Sequence, residues 1–218
     1  MSAPPLVPSP LYGLRTWSVT GARGQERLSG PQQPAPWPAA GAWLTAACAR
    51  GAGHAAPAPA CECGIHAWHP RRRSARRVLA LRRQVAGVVE ARGAIELHRD
   101  GFRAEHARPF ALFLAPGAHA GVVGRLAETY SVEVVPAGSA GAVVDWCGAR
   151  GLGLEPAVVD ALLGPERLAE RQRAVRAGRL RAGAALALVA VLLAIGLAAT
   201  GDPGARTLHG RTGEVQLR

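Results

Sequence analysis

Three cysteines and a histidine fall close together as Cys48, His54, Cys61 and Cys63, in the order Cys-x5-His-x6-Cys-x-Cys (CARGAGHAAPAPACEC). Three thiols and one imidazole make the donor count of a closed tetrahedral zinc site, with no position left open for a substrate. The expected cofactor is therefore a structural zinc. Pro57 and Pro59 stiffen the stretch between His54 and Cys61, which limits the entropy lost when a metal closes it. The Cys-x-Cys spacing works against convergence, because alternate residues of an extended chain point to opposite faces. Gly64, directly after Cys63, can supply the turn that brings both sulfurs to one point. A redox or persulfide-type thiol site and chemically inert thiols are the alternatives. His66 and His69, in CGIHAWHP, are alternative nitrogen donors to His54. Cys147, in VVDWCGARG, stands apart and reads as a small buried hydrophobe.

A second constellation depends on a hairpin. Residues 85–98 and 102–114 flank Asp100 and Gly101, a pair that favours a two-residue turn because both positions tolerate positive φ. With those two at the centre of the turn, Leu97 opposes Ala104, Ile95 opposes His106, Glu96 opposes Glu105 and His98 opposes Arg103. One face is then apolar and the other charged. Two carboxylates held opposite each other raise a pKa toward general-acid use, so an enzyme using Glu96 and Glu105 is one functional alternative. The competing reading is a solvated face in which Arg92 and Arg103 neutralise the acids. No phosphate loop, nucleophile elbow or HExxH helix occurs, and GARGLG at 148–153 matches a dinucleotide loop only loosely. No residue is assigned a catalytic role.

The elements that must position these residues form an α+β chain. It comprises a small mixed β domain whose N-terminal half is stapled by the Cys/His set, a β-hairpin, short helices, and one C-terminal transmembrane helix. Residues 1–10 are expected to be disordered and lack the charged start and apolar run of a signal peptide. Residues 11–135 make the α+β domain: a strand at 11–19, an irregular Pro- and Gly-rich stretch to about residue 60, the hairpin, a helix at 118–130 and a strand at 131–135. Residues 136–164 form a short helical segment, with a turn at 138–140 and helices over 141–149 and 155–163. A basic helix at 165–181, the membrane helix at 182–200 and a tail at 201–218 complete the chain.

The order of motifs resembles that of a family of uncharacterised bacterial proteins. The matching residues are GLRTW at 13–17, Trp37-Pro38, Cys48, His54 to Pro57, CECGI at 61–65 and GFRAE at 101–105. The resemblance covers residues 11–135 and implies that they fold as one unit; it implies no activity. His66 departs from it, standing where an aromatic residue is expected.

Residues 182–200 (AGAALALVAVLLAIGLAAT) carry no charge, and their apolar residues spread over every face of a helix. At 1.5 Å per residue they extend roughly 28 Å, close to the thickness of a bilayer core. Arg167, Arg171, Arg173, Arg176, Arg179 and Arg181 precede the run, whereas Arg206, Arg211 and Arg218 follow it. The excess places the N-terminal domain in the cytoplasm and the tail outside. The net charge of +11 comes from arginine alone, since the chain has no lysine. Its concentrations at 71–83 and 167–181 suit anionic membrane lipid, with nucleic acid as the rival partner. These readings add up to a membrane-anchored cytoplasmic binding or scaffolding module with a structural metal. A membrane-tethered nucleic-acid-binding regulator is the other alternative.

Overall fold

A computed structural model describes residues 10–164 except 31–32, 40, 52, 60 and 82–83. They belong to one compact unit. The expected membrane helix, its basic flank and tail, and residues 1–9 lie outside the described residues. Among those described, no helix is long and apolar enough to cross a membrane.

The elements run β1 (Leu11–Thr20), β2 (Arg27–Gly30), β3 (Gln33–Pro36), β4 (Leu44–Thr45), β5 (Ile65–Trp68), α1 (Arg72–Ala80), β6 (Val85–His98), β7 (Gly101–Leu114), α2 (Ala120–Tyr130), β8 (Glu133–Pro136) and α3 (Ala140–Ala149). Residues 156–164 are also helical. β6 opens with seven buried residues and is paired on both sides, to β1 (Leu11↔Ala91 through Trp17↔Val85) and to β7. An unbroken apolar run of this kind marks a strand covered on both faces. Alternate residues do feed separate cores. Val88, Ala111 and Phe113 pack with Val78 of α1 and Val143 and Cys147 of α3, whereas Val89 and Leu112 pack with Val123, Leu126 and Tyr130 of α2 and with Val159 and Leu163. The α+β class is thus observed, with helices on both faces. Because α3 shares its core with α1, no packing boundary separates 136–164 from what precedes it.

β7 is the rail on which the site is mounted. β6 runs along one side of it, and along the other β5, β4 and β8 follow in turn: Ile65↔Ala104 through Trp68↔Gly101, then Leu44↔Ala107 and Thr45↔His106, then, in parallel, Ala111↔Glu133 through Leu114↔Pro136. β5 also meets β1 at Leu14↔Trp68, so β1, β6, β7 and β5 close on themselves.

Two expectations are corrected. The hairpin register differs by two residues: His98 pairs with Gly101, Leu97 with Phe102, Glu96 with Arg103 and Ile95 with Ala104. Arg99 and Asp100 make the turn, and Gly101 is already in the ladder. A side chain on Gly101 would meet Ala67 O at 2.1 Å and Trp68 Cα at 2.8 Å, so close approach by β5, not turn geometry, requires glycine there. Residues within the stretch expected to be irregular form β2 and β3, held by Tyr130, whose hydroxyl accepts from Leu28 N–H at 2.9 Å and donates to Trp37 O at 3.1 Å. The arginine-rich segment after residue 71 is the helix α1, which buries Ser74, Ala75 and Val78 while Arg72, Arg73, Arg76 and Arg77 face outward.

Candidate metal centre

Cys48, His54, Cys61 and Cys63 all lie in the connection from β4 to β5, residues 46–64. Irregular loops beyond about 12–15 residues are uncommon without a function or a staple. Both ends of this loop are pinned to neighbouring positions of β7, by Ala46 N–H donating to Glu105 O at 2.7 Å and by Ile65 pairing with Ala104. The loop therefore leaves the sheet and returns to it at one place, and its four donor residues gather above that place.

Their ligand atoms all lie within 4.8 Å of one another, and all four residues are half-buried. Cys48 Sγ stands 3.7 Å from Cys61 Sγ, and Cys63 Sγ 3.9 Å from His54 Nδ1. A tetrahedral ion with bonds of about 2.3 Å to sulfur and about 2.0 Å to nitrogen spaces its ligands about 3.5–3.8 Å apart. The Cys48–Cys61 separation matches, the Cys63–His54 separation is about 0.4 Å longer than the sulfur–nitrogen value, and the longest needs a contraction of about 1 Å by the same geometry. The cysteines are free thiols. The arrangement is compatible with a structural metal site.

Local structure explains the convergence that the Cys-x-Cys spacing opposed. Cys61 lies in a bend and Cys63 in irregular chain, neither in a strand, and Gly64 takes φ +118°. A Cβ on Gly64 would stand 3.1 Å from both Arg103 Cβ and Pro57 Cβ, so glycine also lets the chain pack between these two. The Cys63 N–H lowers the pKa of the Cys61 thiol, with help from its Cys48 and Cys63 neighbours. The Cys63 thiol is shifted the other way, by burial first and then by the neighbouring sulfurs. Three thiolates so close repel one another, and a bound dication removes that repulsion.

Neither alternative nitrogen donor joins the cluster's ligand atoms. His66 is exposed, with Nε2 at 2.9 Å from Glu62 O, and His69 is fully buried, its Nε2 donating to His98 O at 3.0 Å. Cys147 is buried in the α1–α3 core with its pKa pushed up to about 11 by desolvation, as befits a small hydrophobe.

The expected carboxylate pair does not form. Glu96 is ion-paired with Arg103. Glu105 instead accepts from Ala94 N–H at 2.9 Å, beside the irregularity between Arg92 and Ile95, and its Oε1 lies 3.4 Å from His106 Nε2. The two-residue change of register has replaced an acid facing an acid with an acid facing a base.

The residue that sequence reasoning missed is Arg103 itself, read as a surface cation but only 6% exposed. It lies on β7 directly beneath the Cys/His loop, opposite His66 on one side and Glu96 on the other. Comparison with models of known protein families, with curated proteins and with solved structures finds no match to this chain.

Proposed function

We propose that this chain is a zinc-stapled binding or scaffolding module, tethered to the cytoplasmic face of a membrane by residues 182–200. The observation that carries the zinc is the convergence of Cys48, His54, Cys61 and Cys63 on a long loop, with their ligand atoms within 4.8 Å of one another. Three sulfurs and one nitrogen suit zinc better than a hard cation, and the closed donor set makes the ion structural. The site belongs to the fold and leaves the partner-binding surface elsewhere.

The α1 helix supports the membrane side of the reading. Arg50, Arg103, Arg108, Arg125 and Arg150 are each paired with a glutamate. Among the described residues Arg72, Arg73 and Arg76 are in no ion pair, α1 contains no acidic residue, and Arg77 lies over the Trp68 ring at 5.6 Å. The outward arginines of α1 suit anionic lipid, as do the arginines at 167–181 in the sequence, and each nearby cation contributes about 1 kcal/mol. The test is reconstitution of the full chain into neutral and phosphatidylserine-containing vesicles, followed by protease protection. Protection of the C-terminal tail alone supports the anchor and its direction. A chain recovered wholly in the aqueous phase overturns the membrane reading, and salt-sensitive retardation of DNA or RNA by that soluble chain favours the nucleic-acid alternative.

A further inference from the structure

We infer that Arg103 is the positioning residue of the metal centre, a buried guanidinium that shapes the ligand loop from below; the inference rests on the metal reading above. A guanidinium has five N–H donors in a fixed planar fork. Here every one has an acceptor. Nη1 donates to Cys61 O and, at 3.1 Å, to Cys63 O; Nη2 donates to Ala58 O at 3.4 Å and to Glu96 Oε2; Nε donates to His98 Nε2 at 3.3 Å. Three of the five thus hold carbonyls of the loop that carries the thiols, including those of two ligand residues. The remaining two tie the same group to β6.

The consequence for the metal follows from peptide geometry. The C=O and N–H of one trans peptide point in opposite directions, so the held carbonyls of Cys61 and Cys63 orient the Glu62 and Gly64 N–H groups on either side of Cys63. Drawing the carbonyls of Ala58, Cys61 and Cys63 down toward one cation therefore fixes the bend in which the Cys63 N–H faces the Cys61 sulfur. Arg103 touches no ligand atom and acts through the backbone between them. Glu96 makes the arrangement affordable, since a buried guanidinium without a counter-ion destabilises strongly. Lysine cannot substitute: a single ammonium has neither the planar fork nor the reach to hold three carbonyls together. Gly64 completes the cradle by letting the chain approach within 3.1 Å of Arg103 Cβ.

The test compares the full chain in detergent micelles as wild type, Arg103→Lys, the double variant Arg103→Gln/Glu96→Gln, and Cys61→Ser. Zinc affinity is measured by chelator competition, zinc release by chelator chase, and ligand geometry by the thiolate-to-metal absorption of the cobalt(II) form. The expected result is a 10- to 100-fold loss of zinc affinity in both Arg103 variants, the size seen when groups behind metal ligands are altered. One-to-one stoichiometry and cobalt–thiolate absorption persist at saturation, and Cys61→Ser weakens that absorption. A residue that merely buttresses the hairpin lowers the unfolding midpoint without changing affinity or release rate in the folded protein. Affinity within twofold of wild type in folded Arg103→Lys therefore overturns the inference and leaves the metal site standing. Absence of metal from the wild type overturns both. If the double variant does not fold, Arg103→Lys alone decides, because it keeps the charge that Glu96 needs.

Discussion

Replacing Gly101 tests the register that puts Arg103 beneath the ligand loop. If Gly101 were the second central residue of an Asp-Gly turn, its φ would be positive and asparagine would be tolerated there better than alanine. In the structure Gly101 pairs with His98 and Trp68, does not have positive φ, and has β5 pressed against it. A Cβ would stand 2.1 Å from Ala67 O, whereas an ordinary carbon–oxygen contact is about 3.3 Å. β5 must retreat by about 1 Å, and forced repacking of that kind costs about 1–3 kcal/mol. For a chain of this size the midpoint falls by about 2–4 °C per kcal/mol. Gly101→Ala and Gly101→Asn should therefore both unfold about 2–12 °C below wild type by the same scale. The assay is thermal unfolding followed by tryptophan fluorescence. Zinc affinity should fall in both variants, because Cys63 stands two residues before β5. A Gly101→Asn protein as stable as wild type, with only Gly101→Ala impaired, would refute the register and the placement of Arg103 with it.

Thiol labelling by iodoacetamide at pH 8 should leave Cys147 unmodified in the folded protein, since burial pushes its pKa up to about 11; chelator should expose Cys48, Cys61 and Cys63 to the reagent and leave Cys147 protected. Tyr130→Phe should destabilise by about 1–3 kcal/mol in denaturant unfolding, because Leu28 N–H and Trp37 O lose their shared buried partner. Arg125 grips Glu26 and, by hydrogen bonding, lowers its pKa to about 2. A folded pKa below the unfolded value of about 4.3 gives stability that is complete above that value and lost as pH falls toward 2. Glu26→Gln should flatten the acid limb of the stability profile between pH 4.5 and pH 2; an unchanged slope would contradict the pairing.

What the sequence disclosed follows from the range of the interactions concerned. β6, α2 and α3 are visible in local periodicity and turn residues, within two residues at either end. At the hairpin's tip the faces were legible too, because alternation has a period of two, whereas its base is buried on both faces and departs from the expected wet side. The same periodicity hides a two-residue change of register, which leaves every side chain on its own face yet exchanges Glu105 for Arg103 opposite Glu96. What decided the register is β5, a strand of four residues more than thirty positions away from Gly101. The cluster of Cys48, His54, Cys61 and Cys63 could be read because metal-ligand chemistry specifies residue types. Its support could not, since nothing local marks Arg103 as buried. β2 and β3 escaped for a similar reason: both are short, β3 contains two prolines, and the stretch depends on Tyr130, about a hundred residues away.

The central claim is that four side chains of one loop hold a single zinc ion. X-ray absorption at the zinc edge, combined with elemental analysis of full-length protein purified without chelator, addresses it most directly. The account predicts one zinc per chain, with three sulfurs at about 2.3 Å and one nitrogen at about 2.0 Å, and loss of sulfur amplitude in Cys48→Ser, Cys61→Ser and Cys63→Ser. Protein that folds with no bound metal, or zinc surrounded by oxygen and nitrogen alone, would contradict it.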